Sequence, residues 1–130
     1  MFTFSCVIFL SLWYNFSMKI TTDKRPWGSE RCLTQNEAST VKLLYINKGE
    51  SLSLQLHHRR DEFWKILIGN PETTIGEKSY ISKVGDEISV PREVYHRISA
   101  PLDDCLILEI STGDFDENDE VRLEDQYNRS

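Results

Sequence analysis

The sequence predicts an all-β domain, built as an antiparallel sandwich or barrel. Apolar and polar residues alternate over short stretches, and glycine or proline turns recur between those stretches at short intervals. No stretch carries the stripe of apolar residues that is typical of an amphipathic helix. Many short strands separated by turns indicate a sandwich or a barrel rather than an open sheet with covering helices.

The first half of the chain supplies three predicted strands. Residues 41–47 are rich in β-branched and aromatic residues and lead into a turn at Gly49. Residues 51–57 alternate, with leucines on one face and serine, glutamine and histidine on the other. Residues 62–68 form the next strand, which a Gly-Asn-Pro turn ends.

The second half supplies the remaining strands. Residues 73–81 predict a hairpin that turns at Gly76, and residues 87–90 predict a short strand that Pro91 ends. Residues 96–99 and 105–111 are the last strands expected. Two further expectations concern the ends of the domain. The polar residues 117–129 are expected to form a turn of helix before an extended tail, and Trp27 is expected to hold the N-terminal segment against the barrel.

Composition and charge indicate the size of the domain, its possible partners and its redox compartment. The 130 residues are 39% hydrophobic, which is enough for the modest core of one domain. The net charge is −6, with acidic residues concentrated towards the C-terminal end, so we expect no nucleic-acid partner. Three widely spaced cysteines without a Cys-x-x-Cys pair favour a reducing, cytoplasmic setting.

Residues 1–17 are apolar and aromatic and stand apart from the polar sequence that follows Met18. They lack the basic start and the small-residue cleavage site of a secretory signal, and their apolar run is too short to span a membrane. We therefore expect a start-site artefact, with a weak signal-like or anchor segment and an integral strand as the alternatives. No membrane partner is expected.

Four polar residues form the strongest candidate site: Gln55, His57, Glu62 and His96. Gln55 and His57 share a face of one strand, while Glu62 and His96 lie in or next to two others, so the four can converge inside a barrel. An amide oxygen, two imidazoles and a carboxylate suit a divalent metal with open coordination positions. Zn²⁺ is the first expectation, with Mn²⁺, Co²⁺, Ni²⁺ or Fe²⁺ as alternatives. The competing interpretation is a set of buried polar groups that hydrogen-bond only to each other.

These residues stand in two glycine-bounded motifs, at residues 49–69 and 85–96, which resemble the paired signatures of cupins. The string Ser-Leu-Gln-Leu-His-His-Arg-Arg-Asp-Glu-Phe-Trp at residues 53–64 resembles type II phosphomannose isomerases. That cupin domain is also found at the C-terminus of bifunctional mannose-1-phosphate guanylyltransferases. Further matches are Arg-Pro-Trp-Gly at 25–28, Thr-Gly-Asp at 112–114 and the tail at 121–129.

The chain also departs from the family pattern at four positions. Arg59 stands where many members have a third consecutive histidine, and Glu93 stands where glycine is usual. Ala100 often corresponds to asparagine in the family, and Asn128 to a glycine.

The resemblance implies a cupin double-stranded β-helix, or jelly-roll barrel, over residues 18–130 as a single domain. It also implies a metal-dependent isomerase that interconverts mannose 6-phosphate and fructose 6-phosphate, acting as a homodimer on a small sugar phosphate. The alternative is a non-catalytic, or differently catalytic, metal-binding cupin that recognises a sugar or sugar phosphate.

Arginines are the candidates for contact with the phosphate group, since a guanidinium binds phosphate bidentately. The predicted substrate-binding residues are Arg60, Arg97, Arg122 and Arg129. Arg60 is also predicted to take part in catalysis, together with Glu93, which lies close to His96 in the sequence. A surface ion pair is the alternative for each arginine.

Overall fold

A computed structural model describes residues 18–127 and 129, and the prediction for residues 1–17 lies outside that range. The described residues form eleven strands and no helix, which confirms the all-β prediction; none of them could therefore cross a membrane as a helix. The strands are β1 Thr21–Arg25, β2 Gly28–Cys32, β3 Ser39–Ile46, β4 Leu54–Leu56, β5 Arg60–Ile68, β6 Glu72–Ile75, β7 Lys78–Ile81, β8 Glu87–Val90, β9 His96–Ser99, β10 Cys105–Gly113 and β11 Val121–Glu124.

Two antiparallel sheets make the barrel. The first has the strand order β3-β10-β5-β8, and the second has the order β11-β4-β9-β6-β7. Most neighbours within a sheet are distant in sequence, as in β3 with β10 and β4 with β11. Long-range antiparallel pairing between two such sheets is the arrangement of a jelly roll. The separate hairpin β1–β2 carries Trp27 in its turn.

Turn residues set several strand ends where the sequence predicts them. The hairpin β6–β7 turns at Gly76, β8 ends before Pro91, and β9 has the predicted bounds. The β10 strand runs two residues further than predicted, to Gly113, whose φ is +107°. A Cβ at this position would lie 2.5 Å from the carbonyl oxygen of Arg59, so only glycine allows β10 to approach the β4–β5 turn.

Three expectations about local structure are wrong. The regular part of the predicted strand 51–57 is limited to β4, because Ser51 makes only an isolated bridge to Ser99. The expected helical turn in the C-terminal segment is replaced by β11, which pairs with β4. Trp27 is 71% exposed and therefore does not pack the N-terminal segment against the barrel.

An apolar core fills one part of the space between the sheets. Its buried members are Ile46, Trp64, Ile66, Ile88, Val90, Ile98, Ala100, Cys105 and Ile107. A smaller cluster joins the buried side chains of Met18, Phe63 and Ile110. Phe63 and Ile110 lie on the other face of the first sheet, since side chains alternate along β5 and β10. Met18 therefore ties the start of the described chain to the outside of that sheet.

Candidate metal centre

Three buried side chains bring metal-ligating atoms together inside the barrel. His57 follows β4, Glu62 lies in β5 and His96 begins β9, so both sheets contribute. One ligand atom from each of the three lies within 4.8 Å of the others. Each side chain is 3% exposed or less, so the cluster is shielded from bulk water.

Strand pairing explains part of this convergence. Gln55 of β4 is the direct cross-strand partner of His96, and directly opposed residues project to the same face of a sheet. The amide oxygen of Gln55 accepts a hydrogen bond of 2.5 Å from the Ser53 hydroxyl. Gln55 is therefore on the same row as His96, with its side chain held by a neighbour.

Both imidazole rings are held by main-chain carbonyl groups. Nδ1 of His57 donates to the carbonyl of Asp119 at 2.8 Å, and Nδ1 of His96 donates to the carbonyl of Val94 at 3.0 Å. A neutral imidazole carries one proton, so in the neutral form each ring has its proton on Nδ1 and its lone pair on Nε2. The fixed ring orientation is the one seen for histidine ligands of metals.

The Nε2 atom of His96 is buried and has no hydrogen-bond partner among the described residues. Oε2 of Glu62 lies 3.7 Å from this nitrogen, which is too far for a hydrogen bond. An unpaired buried polar atom costs roughly 1–3 kcal/mol. A cation between this nitrogen and the carboxylate would remove that cost, so the residues present fit a divalent metal.

The pKa shifts of His96 and Glu62 favour the charge states that a metal requires, a neutral imidazole and an ionised carboxylate. Burial lowers the pKa of His96 and outweighs the attraction of Glu62, which keeps that ring neutral. Burial alone would raise the pKa of Glu62, but the hydrogen bond of His57 and the nearby positive charges hold it well below its usual range. A neutral imidazole beside an ionised carboxylate is the state that binds a metal.

His57 has competing neighbours at Nε2. Oε1 of Glu62 lies 3.1 Å away and NH2 of Arg60 lies 3.2 Å away. Burial lowers the pKa of His57, but the hydrogen bond and the charge of Glu62 more than offset this and raise the pKa above its usual value. Metal binding would compete with a proton for this nitrogen.

Arg60 lies inside the cluster and is only 5% exposed. Its Nε contacts Oε1 of Glu62 at 3.3 Å, and its NH1 donates to the carbonyl of Asp116 at 3.2 Å. The guanidinium also stacks on the ring of Phe115, 4.4 Å from the ring centroid. Arg60 is thus placed beside two of the proposed metal ligands.

The sequence reasoning missed one buried residue of the site, Glu109, which Trp64 links to Glu62. The indole Nε1 of Trp64 donates to Oε2 of Glu62 at 3.2 Å and to Oε2 of Glu109 at 3.1 Å. Burial and the charge of Glu62 raise the pKa of Glu109 above its usual range. A signal for Glu109 does exist, because it is the one acidic residue in the apolar run of β10 and shares the parity of buried Ile107.

Glu93 is not brought to the cluster. Its carboxylate contacts Nδ1 of His58 at 3.0 Å, and both side chains are about half exposed. Its backbone φ is +66°, in the left-handed region that glycine adopts without strain. The main-chain N–H of Glu93 donates to the carbonyl of His57 at 2.7 Å, so the backbone rather than the carboxylate adjoins the site.

The other three predicted arginines occupy different places. Arg122 of β11 is paired across the strands with Gln55, so the row His96–Gln55–Arg122 runs across the second sheet. Its NH2 contacts Glu120, and its Nε is buried without a partner among the described residues. Arg97 and Arg129 are instead paired with Glu124 and Asp125, both at 2.9 Å.

Comparison with known proteins identifies relatives over most of the chain. The family model described as "Mannose-6-phosphate isomerase C-terminal" matches residues 15–125. Mannose-1-phosphate guanylyltransferase 2 of Escherichia coli O157:H7 is 32% identical over 105 residues, which are 79% of this chain and 22% of that protein. The xanthan biosynthesis protein XanB of Xanthomonas campestris pv. campestris is 34% identical over 108 residues, or 82% and 23%. The chain spans less than a quarter of these relatives.

Solved structures show the same architecture. A cupin protein of Bacteroides fragilis superposes with a TM-score of 0.54 at 22% identity, covering 62% of this chain and 70% of that one. A putative sugar phosphate isomerase of Acidithiobacillus ferrooxidans superposes with a TM-score of 0.53 at 25% identity, covering 57% and 49%. The cupin double-stranded β-helix expected from the sequence is therefore confirmed.

Proposed function

On the premise that the chain belongs to the mannose-6-phosphate isomerase C-terminal family, we propose that it is a metal-dependent isomerase that interconverts mannose 6-phosphate and fructose 6-phosphate. The observation that carries the proposal is the buried triad His57, Glu62 and His96, with an unpartnered Nε2 at its centre. Buried polar groups that bind no ligand would be hydrogen-bonded to each other, which leaves no reason for an unpaired Nε2.

We assign the metal to Gln55, His57, Glu62 and His96, with Zn²⁺ first among the divalent ions that this mixed donor set accepts. When bound, such an ion supplies a Lewis acid that polarises a substrate oxygen. The protein's own part is to hold the ligands in position. The carbonyls of Asp119 and Val94 orient the imidazoles, and Trp64 orients the Glu62 carboxylate.

We assign the phosphate end of the substrate to Arg60 and Arg122. Arg60 contacts the metal ligands directly, and Arg122 lies two strands from His96 on the same row of the second sheet. Neighbouring strands are about 4.8 Å apart, so this row spans roughly 10 Å, comparable to the length of a hexose phosphate. Arg97 and Arg129 are engaged by acidic partners elsewhere, and we assign them no contact with the substrate.

Aldose–ketose interconversion moves a proton between C1 and C2 through an enediol-like intermediate, and a base must lie within hydrogen-bond reach of that proton. The exposed Glu93 carboxylate faces His58 rather than the triad. We therefore assign proton transfer to the interior of the barrel and not to Glu93.

The test is a coupled assay for fructose 6-phosphate formation from mannose 6-phosphate. Protein stripped with a chelator should be inactive, and adding back Zn²⁺, Mn²⁺ or Co²⁺ should restore turnover. His57→Ala should abolish both metal binding and turnover, while the matched control His58→Ala, at the exposed neighbouring histidine, should retain both.

Two negative outcomes point in different directions. Metal-replete protein that binds mannose 6-phosphate without converting it would support the alternative, a sugar-phosphate-recognising cupin. Protein that takes up no divalent metal under any condition would contradict the metal centre itself.

A further inference from the structure

The loop between β10 and β11, residues 114–120, passes over the metal centre and is called the strap below. Asp119, near its C-terminal end, is 4% exposed. Its carboxylate accepts two main-chain hydrogen bonds, from the N–H of His58 at 3.0 Å and from the N–H of Arg59 at 2.9 Å. The strap is therefore attached by a buried carboxylate to the turn between β4 and β5.

The main chain of Asp119 makes a third contact with the same turn. Its carbonyl oxygen accepts the hydrogen bond from Nδ1 of His57 at 2.8 Å. One residue thus binds three consecutive residues, 57–59, two through the side chain and one through the backbone. The side chain fixes the backbone of Asp119, and the backbone in turn fixes the imidazole of His57. These three hydrogen bonds of Asp119 are called the clamp below.

The strap also reaches Arg60. The ring of Phe115 lies under its guanidinium, and the carbonyl of Asp116 accepts from its NH1. A turn closes the strap between Asp116 and Asp119, whose N–H donates to the carbonyl of Asp116 at 2.9 Å. Displacing Asp119 would therefore disturb the surroundings of His57 and Arg60 together.

We propose that Asp119 is a positioning residue that holds His57 in the Nδ1–H tautomer, with Nε2 directed at Glu62. This inference rests on the proposed metal centre. Outer hydrogen-bond partners of metal ligands are known to set ring orientation and metal affinity. Here the partner is the main-chain carbonyl of Asp119 in the strap, and the carboxylate of the same residue keeps the strap in place.

The experiment compares Asp119→Ala with Asp114→Ala in the full chain. Asp114 lies in the same strap, is 76% exposed and contacts Arg59 at 3.5 Å rather than residues 57 and 58, so its loss leaves the hydrogen bonds of Asp119 intact. The first measurement is the tautomer of His57 by ¹⁵N NMR on metal-free protein, at a pH where the ring is neutral. With only three histidines in the chain, single variants suffice to assign the signals.

In wild-type protein and Asp114→Ala we expect the Nδ1–H tautomer of His57, and in Asp119→Ala a mixture of both tautomers.

The second measurement is Co²⁺ affinity and the visible spectrum of the Co²⁺ form. Loss of an outer partner should weaken binding roughly 10- to 100-fold and shift the spectrum. Asp119→Asn keeps one carbonyl acceptor and should fall between the two.

A clamp with a purely structural role predicts a different pattern. In that case Asp119→Ala would lower the melting temperature but keep the wild-type tautomer, Co²⁺ affinity and spectrum, and the proposal would be wrong. If Asp119→Ala does not fold, Asp119→Asn decides the question by the same measurements. If wild-type protein binds no Co²⁺, the proposed metal centre fails, while the tautomer comparison still tests the clamp.

Discussion

The two ends of the barrel interior are built from the same strands but from opposite chemistry. Along β5 the inward side chains run from Glu62 through Trp64 to Ile66, and along β9 they run from His96 to Ile98. All five are nearly fully buried. We call the part around Glu62 and His96 the polar end and the part around Ile66 and Ile98 the apolar end.

The comparison shows that burial alone does not make a stabilising core. Each fully buried aliphatic side chain at the apolar end contributes roughly 1.5–3 kcal/mol. The polar end instead contains an unpaired imidazole nitrogen and two carboxyl groups bridged by one indole N–H. A cation bound between the His96 nitrogen and the Glu62 carboxylate would remove the cost of the unpaired atom. Trp64 marks the boundary because it packs in the apolar core and donates to Glu62.

The largest expected effect is on the unfolding free energy, and it comes from replacing two inward residues of β9, one at each end, with alanine in separate variants. Ile98→Ala should cost roughly 2–5 kcal/mol of unfolding free energy with or without metal, because it leaves a cavity in a packed core. Metal at about a hundred times its dissociation constant should stabilise this variant and the wild type alike, by about 2.7 kcal/mol.

His96→Ala should behave in the opposite way. It should lose most of its bound metal and gain no stability when metal is added, because the triad loses one of its ligands. Denaturant unfolding with and without Zn²⁺, together with metal analysis, measures both variants. Equal stabilisation of His96→Ala and wild type by metal would erase the proposed distinction between the ends.

A smaller effect is expected for Arg60→Lys within the polar end. Lysine keeps the positive charge but loses the planar fork, so KM for mannose 6-phosphate should rise roughly tenfold or more, since a charged hydrogen bond contributes about 1.5–3 kcal/mol. Metal content should stay unchanged, because arginine is not a ligand. Steady-state kinetics are compared with Arg25→Lys, the same exchange in the β1–β2 hairpin, where Arg25 pairs with Glu30. Unchanged KM and kcat in Arg60→Lys would assign the phosphate to Arg122 or remove it from the substrate.

A still smaller effect is expected at Glu93, outside both ends. Left-handed backbone costs a residue with a Cβ roughly 1–2 kcal/mol, so Glu93→Gly should be about 1 kcal/mol more stable than Glu93→Ala. Both variants lose the contact with His58, so their difference isolates the backbone. Thermal unfolding measures it, and turnover should be retained in both. Loss of turnover in Glu93→Gly would restore a catalytic role for this carboxylate.

The smallest effect is expected for removal of residues 1–17. A chain that begins at Met18 should match the full chain in unfolding free energy within about 0.5 kcal/mol, provided that Met18 itself remains in place. Met18 packs with Phe63 and Ile110, so the control Met18→Ala should cost roughly 2–5 kcal/mol. A marked drop in melting temperature on truncation would mean that the removed segment packs as a strand.

Local signals predicted the parts of the fold whose boundaries are set by turn residues. The turn at Gly76 and the stop at Pro91 act within a few residues, so the bounds of β8 and β9 could be predicted from the sequence. The strand β11 could not. Its four residues, Val-Arg-Leu-Glu, alternate between apolar and polar, but so short a run among acidic residues does not predict a strand by itself. Pairing with β4, more than sixty residues away, makes it one.

The candidate site likewise contains residues that local sequence signals predicted and residues whose roles depend on long-range contacts. Motif spacing indicated Gln55, His57, Glu62 and His96, and the structure brings His57, Glu62 and His96 into one cluster with Gln55 on the row of His96. The roles of Glu109 and Asp119 depend on contacts across the fold, with Trp64 and with the β4–β5 turn, and a single sequence does not display those contacts. The catalytic role of Glu93 stays a prediction. Its carboxylate contacts His58 rather than the triad, and its positive φ is one that glycine adopts without strain.

The pairing of β11 with β4 has a consequence for how the protein is made. While the chain is being synthesised, His57, Glu62 and His96 leave the ribosome before the strap and β11 do, so these residues are available before the carbonyl that orients His57. Strand pairs that are far apart in sequence form slowly, on the scale of milliseconds to seconds. Completion of the site is therefore expected to be a late step, reached only after residues up to 124 have emerged, and a nascent chain halted before that point should hold metal more weakly than the finished protein.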